Sequence, residues 1–284
     1  MSSDACGAYG RRHVARVRLD DELISQGICE NRADALRTLM AGLVSSGGER
    51  LSSPGMMVKP GIELHVKGRI PYVGRGGLKL AGALDAFRVD PSGLNCLDVG
   101  CSTGGFTDCL LKRGAAHVLS VDVGRAQFDW SLRQDERVTL LERTNIVDVP
   151  VLGYRSSADL AVCDVSFTSI ATILPAVLEL LTPNGAFLTL VKPQFEAPQG
   201  EVGEGGIVRD PAVHARVLAD AVELFRENGL SPLGLCASPI TGAKGNREFF
   251  LLGARGASAA SREEMDASAV SAHIDALVYS EVPR

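Results

Sequence analysis

Residues 95–106 read NCLDVGCSTGGF, a short apolar run followed at once by a glycine-rich turn. The apolar run predicts a buried β-strand, and the turn opens a helix pattern over Gly105–Arg113. Glycines in such a turn let the backbone approach a ligand closely, and a helix N-terminus offers free N–H groups. The stretch therefore predicts the first strand and the ligand loop of an α/β domain.

Strand and helix patterns alternate along the rest of the chain. The candidate strands are Asn95–Val99, Val118–Asp122, Val138–Leu141, Leu160–Asp164, Ala186–Lys192, Ser231–Ala237 and Glu248–Gly253. The candidate helices are Leu78–Phe87, Gly105–Arg113, Ile170–Leu181 and Pro211–Asn228. Such alternation is typical of a mostly parallel sheet with helices on both faces, so we predict a Rossmann-like α/β fold with seven strands.

The glycine-rich turn departs from the pattern of a dinucleotide site. A dinucleotide loop reads GxGxxG, whereas Ser102 replaces the middle glycine here, which serves a pyrophosphate less well. S-adenosylmethionine has no phosphate, so the turn favours this cofactor, with Asp98 at the strand end facing its amino group. A Rossmann dehydrogenase and a non-catalytic relic of the fold remain open alternatives. The cofactor-binding residues expected are Asp98, Gly100, Ser102, Thr103, Gly104, Gly105, Phe106, Asp122, Asn145 and Asp164.

Two of these residues follow the next strands along the chain. Asp122 ends the second strand pattern, 24 positions after Asp98. An acidic residue at this spacing is suited to hydrogen bonds with the two ribose hydroxyls. Asn145 follows the third strand and is expected beside the adenine.

Four charged residues stand at the ends of four predicted elements. Lys79 lies on the helix before the first strand, Asp164 and Lys192 end the fourth and fifth strands, and Glu248 begins the last. Ligands in open α/β sheets bind at the carboxyl ends of parallel strands. Glu248 reaches that same edge if the last strand runs antiparallel to the others. Two lysines and two carboxylates there suggest activation of a poorly acidic hydroxyl. Taken singly, each residue is explained as well by a surface ion pair.

Composition limits the classes of protein. Residues 1–70 carry a net charge of +2 within a chain of net charge −5. The seven cysteines are odd in number and show no CxxC spacing, which favours reduced thiols in a cytoplasmic protein and no metal site. The N-terminus lacks the apolar core of a signal peptide, and the apolar stretch Val165–Leu178 is shorter than the roughly 18–20 residues that span a bilayer. We therefore expect no membrane association, and no obligate protein partner is indicated.

The first part of the chain resembles the S4 RNA-binding domain. Residues 18–44, RLDDELISQGICENRADALRTLMAGLV, and 54–64, PGMMVKPGIEL, carry the resemblance. It departs from the family at Ser45-Ser46-Gly47, where Val-Asn-Gly is usual, and at the added charges of Asp20 and Asp21. The alternative is a solvated helical face, since exposed arginines are common. The residues that the resemblance and the neighbouring linker place on RNA are Arg18, Arg32, Arg37, Lys59 and Arg75.

Five further motifs resemble the FtsJ-like RNA ribose methyltransferases. They are YVGRGGLKL (72–80), DVGCSTGGFTDCLL (98–111), CDVSF (163–167), VKPQFE (191–196) and KGNREFF (244–250). Together with the S4-like stretch, they identify the chain as similar to the TlyA family of rRNA 2′-O-methyltransferases, which also carries the name hemolysin. The resemblance implies a class I methyltransferase fold, S-adenosylmethionine as the cofactor, and Lys79, Asp164, Lys192 and Glu248 as the catalytic set.

The same resemblance implies a substrate and a domain organisation. The substrate is the cytidine ribose of 23S rRNA, in some members also 16S rRNA, so ribosomal subunits are the expected partners. The expected domains are a flexible leader (1–13), an S4-like α+β domain (14–67), a linker (68–76), a methyltransferase domain (77–255) and a C-terminal tail (256–284). Two other functions stay open. A secreted membrane-lytic protein would need an export signal and a membrane-seeking surface, and a ribosome-binding factor would need no catalysis.

Overall fold

The computed structural model of the protein describes residues 16–29, 31–68, 70–125, 127–260 and 263–279. The chain divides into two compact units, Met1–Pro71 and Tyr72–Arg284. The leader expected at residues 1–13 lies outside the described residues.

The N-terminal unit is a small α+β structure. Its elements are β1 (Val17–Arg18), α1 (Leu19–Ser25), α2 (Arg32–Met40), β2 (Val44–Ser46), β3 (Glu49–Arg50), β4 (Met57–Val58) and β5 (His65–Val66). The side chain of Asn31 accepts a hydrogen bond from the Asp34 amide and caps α2, as the sequence predicts. Leu19, Leu23 and Leu39 are fully buried in the core of this unit.

The second unit is a three-layer α/β structure. Its strands are β6 (Asn95–Val99), β7 (His117–Asp122), β8 (Val138–Glu142), β9 (Ala158–Cys163), β10 (Leu181–Val191), β11 (Ser231–Ala237) and β12 (Phe249–Ala254). Its helices are α3 (Gly76–Phe87), α4 (Gly105–Lys112), α5 (Trp130–Arg133), α6 (Ile170–Leu180), α7 (Pro193–Glu196), α8 (Pro211–Glu227), α9 (Gly256–Ala260) and α10 (Ala267–Tyr279).

Seven strands form one sheet in the order β11-β12-β10-β9-β6-β7-β8. The five strands from β10 to β8 pair in parallel, whereas β12 pairs antiparallel with both β10 and β11. This order and the single reversed strand confirm the predicted class I methyltransferase fold. The central strand β6 ends at the glycine-rich turn, so that turn lies at the carboxyl edge of the sheet.

Two apolar cores cover the two faces of the sheet. Helices α6, α8 and α10 supply one core, with Ile173, Val222 and Ile274 among its buried members. Helices α3 and α4 supply the other, with Leu84 and Leu110 buried. The sheet is thereby covered on both sides, as parallel sheets require.

The helix α10 is fastened to the strand that begins after Glu248. The guanidinium of Arg247 donates hydrogen bonds to the carbonyl oxygens of Leu277 and Val278, at 2.7 and 3.0 Å, near the end of α10. A cation there satisfies free carbonyls and interacts favourably with the helix dipole. The helix α10 therefore packs on the α/β unit, and its end contacts the residue that precedes Glu248.

Within the described ranges, the helices lack the combination of length and hydropathy needed to cross a lipid bilayer. The cysteines of those ranges are free thiols, and Cys236 alone among them is partly exposed.

Candidate active site

The four charged side chains converge at the carboxyl ends of β9 and β10. Lys192 Nζ lies 2.5 Å from Asp164 Oδ1, and Lys79 Nζ lies 2.7 Å from Glu248 Oε2. Lys79 Nζ is also 3.7 Å from Asp164 Oδ2, so Asp164 joins both lysines. The side chains of Lys192 and Glu248 are only 7% and 3% exposed. These contacts are therefore not the surface ion pairs that each residue would suggest on its own.

Strand register brings two of the four residues together. Val191 pairs with Phe249 across the antiparallel ladder of β10 and β12. Lys192 follows the first of these residues and Glu248 precedes the second, so both leave the ladder at the same edge. The topology thus has the reversed last strand that the sequence predicts, and this strand carries Glu248 to the edge where Lys192 lies.

The carboxylate of Glu248 is held by two residues besides Lys79. Gln194 Nε2 donates a hydrogen bond to Glu248 Oε1 at 3.2 Å. Gly242 lies so close that a Cβ atom there would stand 2.0 Å from Oε1. Sequence reasoning assigned no role to either residue, although Gln194 stands in the VKPQFE motif. Each oxygen of the carboxylate therefore has a defined donor, and a methyl group at position 242 would displace it.

The backbone after β9 wraps around the ammonium group of Lys192. Lys192 Nζ donates to the Val165 carbonyl at 2.8 Å and to Ser166 Oγ at 3.0 Å, in addition to Asp164. Phe167 then adopts a left-handed φ of +62°, which is rare for a bulky residue. Phe167 itself is 91% exposed. Sequence reasoning missed the contact between Ser166 and Lys192, because the two residues are 26 positions apart.

Two cavities meet beside these residues. One cavity of about 500 Å³ has Lys79, Lys192 and Glu248 in its wall, and we name it the acceptor cavity. The other, of about 570 Å³, has Asp122 and Asn145 in its wall, and we name it the cofactor cavity after the role that the sequence predicts for these two residues. Both volumes are typical of small-molecule sites, which span about 300–1,000 Å³. The residues common to both walls are Gly100, Ser102, Asp164, Ser166 and Phe167. A ligand in one cavity would therefore meet a ligand in the other at this shared wall.

The turn after β6 packs against the backbone of Asp164 and fixes the carboxylate of Asp122 beside it. Gly100 has a φ of +81°, and a Cβ atom there would lie 3.1 Å from the Asp164 carbonyl oxygen. The carboxylate of Asp122 accepts the amides of Ser102 at 2.7 Å and Gly124 at 2.6 Å, which fixes it beside the turn. A carboxylate oxygen keeps a second lone pair for a ribose hydroxyl. These residues fit S-adenosylmethionine, the cofactor that the sequence favours.

The other expected cofactor residues lie in three places. Thr103, Gly105 and Phe106 line the acceptor cavity rather than the cofactor cavity. Gly104 has a φ of +95° and precedes α4, and neither cavity contains it in its wall. Asp98 also lies outside both walls. The roles of these residues in cofactor binding stay predictions.

Asp98 is fully buried beneath the turn. Its Oδ2 accepts a 2.6 Å hydrogen bond from Thr107, whose hydroxyl also contacts Ser120 Oγ at 2.8 Å, while Oδ1 has no partner. Burial raises the pKa of Asp98 to about 7, and the nearby carboxylates of Asp164 and Asp122 act in the same direction. Burial disfavours the charged form of a carboxyl group, so a buried carboxyl group keeps its proton to a higher pH than an exposed one.

The buried carboxyl group predicts a pH-dependent stability. Below the pKa near 4 that Asp98 has in the unfolded state, Asp98 is protonated in both the native and the unfolded state. Its contribution to the stability of the native state is then fully present. As the pH rises towards 7 only the unfolded state loses its proton readily, so stability falls. We expect wild type to lose up to about 4 kcal/mol relative to Asp98→Asn between pH 4 and pH 7. Urea unfolding at a series of pH values measures this difference.

Asp85 provides a control of opposite sign. It pairs with Arg113, which lowers the pKa of Asp85. Its contribution is therefore present above the unfolded pKa and lost as the pH falls below it. A difference between wild type and Asp98→Asn that does not change with pH would contradict the assignment of a raised pKa.

A polar cluster holds the segment Ala197–Asp210, whose glycine- and glutamate-rich sequence just after Lys192 predicts a lid or an RNA-facing loop. Asn246 Oδ1 accepts the Val208 amide at 3.1 Å, and its Nδ2 donates to the Gly206 carbonyl at 2.9 Å. Lys244 Nζ donates to the Gly205 carbonyl at 2.8 Å. Movement of this segment stays a prediction, and the structure adds the hydrogen bonds that such a movement would break.

The residues expected on RNA lie in both units. In the N-terminal unit Arg18 and Arg32 both contact the buried Asp20, at 2.8 and 3.1 Å, and Arg37 lies 3.6 Å from Asp34. Asp20, which departs from the S4 pattern in the sequence, therefore fixes two arginines. The side chains of these arginines stay 43% and 56% exposed. Lys59 is exposed in the same unit. Arg75 belongs to the second unit, where it donates to the Thr241 carbonyl at 3.2 Å.

No group of three or more His, Cys, Asp or Glu side chains in the described part of the chain is arranged to hold a metal ion.

Comparison with known proteins identifies the second unit. The FtsJ-like methyltransferase family matches residues 72–255. The 16S/23S rRNA (cytidine-2′-O)-methyltransferase TlyA of Mycobacterium tuberculosis is 43% identical over 238 residues, which is 83% of this chain and 89% of that protein. YqxC of Bacillus subtilis, assigned as a candidate rRNA methyltransferase, is 47% identical over 83% of this chain and 85% of its own length.

A solved structure extends the likeness across nearly the whole chain. A protein from Streptococcus thermophilus, assigned as a candidate hemolysin, is 39% identical and covers 92% of this chain and 95% of its own, with a TM-score of 0.67. The sheet order, the glycine-rich turn and these relatives agree with one another. The chain belongs to the FtsJ-like methyltransferase family, within the group that contains the TlyA proteins.

Proposed function

We propose that this enzyme methylates the ribose 2′-hydroxyl of cytidine in ribosomal RNA, with 23S rRNA as its substrate and 16S rRNA as a second substrate to be tested. The observation that carries the proposal is the paired set of Lys79, Asp164, Lys192 and Glu248, two of them buried and two half-buried, beside two adjoining cavities. Relatives named as rRNA cytidine-2′-O-methyltransferases support it. Such a substrate would place the enzyme in the cytoplasm with the ribosomal subunits.

The charged set suits an acceptor that is reluctant to lose its proton. A ribose hydroxyl is a poor nucleophile at neutral pH, so its proton must pass to a base in the transition state. We assign that role to Lys192, which Asp164 and the Val165 carbonyl hold in place. Lys79, held by Glu248, stabilises negative charge on the acceptor oxygen.

The methyl donor is S-adenosylmethionine, whose sulphonium group supplies an electrophilic methyl when bound. The chain contributes position: Gly100, Asp164 and Ser166 line both cavities, so the two cavities adjoin at these residues. Holding both reactants where the cavities adjoin replaces a bimolecular encounter by an oriented one.

Two aromatic rings stand at the acceptor cavity where a target base would lie. Phe167 and Phe195 are in tilted contact, with ring centroids 5.1 Å apart, and both line the cavity. Unpaired RNA bases are commonly held by stacking on exposed aromatic side chains. We place the cytosine against Phe167, which is the more exposed ring.

The N-terminal unit is proposed to bind the RNA as an S4 domain does. Arg32 and Arg37 present exposed guanidinium groups on α2, and Asp20 fixes the first of them. Arginine recognises phosphate through two parallel hydrogen bonds, for which a fixed orientation is an advantage. The unit would supply affinity, and the cavities would supply the chemistry.

Neutral substitutions on α2 test this division. We expect Arg32→Gln with Arg37→Gln to weaken rRNA binding and to reduce the slope of log affinity against log salt by about 1 for each phosphate that is no longer neutralised. Affinity for S-adenosylmethionine should not change. Arg155→Gln in the second unit, which breaks an exposed ion pair with Glu179, is the matched control. A drop in cofactor affinity without a change in RNA binding would contradict the assignment.

The experiment that tests the proposed function is methyl mapping. The purified chain is incubated with S-adenosylmethionine and, separately, with 30S subunits, 50S subunits and protein-free rRNA. We expect a 2′-O-methyl group on cytidine in the 50S reaction, read as a block to alkaline cleavage. Methylation confined to a base nitrogen or carbon, or none with any substrate, would contradict the proposal.

A further inference from the structure

Lys192 is poorly placed to receive a proton directly from a ligand. Its side chain is 7% exposed, and its Nζ has close oxygen neighbours at Asp164 Oδ1, the Val165 carbonyl and Ser166 Oγ. These three oxygens match the three N–H donors of an ammonium group. A substrate hydroxyl would have to displace one of them to reach Nζ.

Ser166 is the exposed member of that group. It belongs to the exposed class of residues, whereas Asp164 and Val165 are half-buried. It also lines both the acceptor cavity and the cofactor cavity. Its hydroxyl can accept and donate a hydrogen bond at once, which neither the carbonyl nor the carboxylate oxygen can do.

We infer that Ser166 is a catalytic residue that passes the proton of the acceptor hydroxyl to Lys192. The inference rests on the proposed ribose 2′-O-methylation. In the reactive form the neutral amine of Lys192 donates to Asp164 and Val165 and accepts the hydroxyl proton of Ser166. The acceptor hydroxyl of the ribose in turn donates to Ser166 Oγ.

The proton transfers then balance. The 2′-oxygen forms its bond to the methyl carbon, and the electron pair of the broken carbon–sulphur bond stays on sulphur. The hydroxyl proton of the ribose moves to Ser166 Oγ while the original proton of Ser166 moves to Lys192 Nζ. Ser166 ends unchanged and Lys192 ends as an ammonium group, which loses its proton to water before the next turnover.

Backbone strain next to Ser166 agrees with this role. Phe167 takes its left-handed conformation one residue after Ser166, whose Oγ faces the same ammonium group as the Val165 carbonyl. Strained residues of this kind persist where the surrounding structure determines them, and they cluster at active sites.

The test compares Ser166→Ala with Ser166→Thr, using methyl transfer to 50S subunits or to the rRNA that wild type modifies. We expect Ser166→Ala to lower kcat by about 100-fold, within the usual range for a proton-transfer group. Cofactor affinity by calorimetry and the KM for RNA should stay within about threefold. Ser166→Thr, which keeps the hydroxyl, should recover most of the rate. Ser131→Ala, which removes an exposed hydroxyl bonded to Asp129, is the control.

A second measurement reports how many protons move in the rate-limiting step. The rate of wild type in mixtures of light and heavy water should curve with the deuterium fraction, because two protons move together. The same plot for Ser166→Ala should be straight. A straight plot for wild type, a Ser166→Ala rate within about threefold of wild type, or a Ser166→Thr variant as slow as Ser166→Ala would each overturn the relay. Failure of wild type to methylate ribose would instead overturn the proposed function.

Discussion

Replacing Lys192 with alanine is expected to lower the rate of methyl transfer by about 10³-fold and to leave the affinity for S-adenosylmethionine within about threefold of wild type. The decrease follows because no other described base lies beside Asp164 except Lys79, which is already paired at 2.7 Å with Glu248. Removal of a proton-transfer group typically costs 10²- to 10⁴-fold in rate. Single-turnover methylation of rRNA measures the rate, and calorimetry measures the cofactor affinity.

The substitution Lys192→Arg distinguishes a role of Lys192 as a base from a role that needs only its positive charge. Arginine keeps its charge at every accessible pH and cannot take a proton from a hydroxyl. Lys192→Arg should therefore be about as slow as Lys192→Ala. Lys112→Ala, which removes a lysine paired with Asp108 on α4, is the matched control and should retain wild-type rate. Normal methylation by Lys192→Ala would refute the proposed mechanism.

The second large effect concerns the stability of the ion pair between Lys79 and Glu248. The side chain of Glu248 is buried and that of Lys79 is largely shielded from solvent, at 3% and 12% exposure. Removing one member leaves the other charge without its partner, which typically costs about 3–5 kcal/mol of unfolding free energy. We therefore expect Lys79→Met and Glu248→Leu each to destabilise the fold by about 3 kcal/mol, since Asp164 and Gln194 compensate in part.

The double variant should be more stable than the sum of the two single effects predicts. With both charges gone, the remaining apolar side chains leave no buried charge unpaired, so recovery of about 2 kcal/mol or more is expected. Urea unfolding of the four proteins gives the coupling energy. The exposed pair of Arg155 and Glu179 should yield less than about 1 kcal/mol in the same cycle. Additive effects at Lys79 and Glu248 would show that the ion pair is not the cause.

Strand ends were the most predictable part of the molecule. The strands β6 and β11 have the bounds that the sequence predicts, because an apolar run and a glycine or proline mark each end. Residues just beyond strand ends, such as Asp164 and Lys192, could therefore be placed on one edge from the pattern of residues alone. The start of β10 was harder: the strand begins at Leu181 rather than Ala186, through an irregular pairing that includes Pro183 and Gly185.

The contacts that tune the site were not predictable. Whether Asp98 meets solvent or a buried hydroxyl depends on α4 packing over it, and sequence spacing carries no such information. The oxygens around Lys192 come from three successive residues, Asp164 to Ser166, and the left-handed conformation of Phe167 that follows them is one that sequence pattern disfavours for this residue. The sequence shows only that position 242 lacks a side chain. The structure gives the reason, because the carboxylate of Glu248 lies against Gly242.

The pairing of Val191 with Phe249 determines where the chain can accept an inserted residue. An extra residue in the exposed turn at Asn228 and Gly229 would lengthen the loop between α8 and β11 and leave the pairing intact. An extra residue between Glu248 and the paired strand would carry the carboxylate about 3.4 Å along the strand and turn it to the other face of the sheet. The first insertion would therefore leave the enzyme active, whereas the second would leave it folded but inactive.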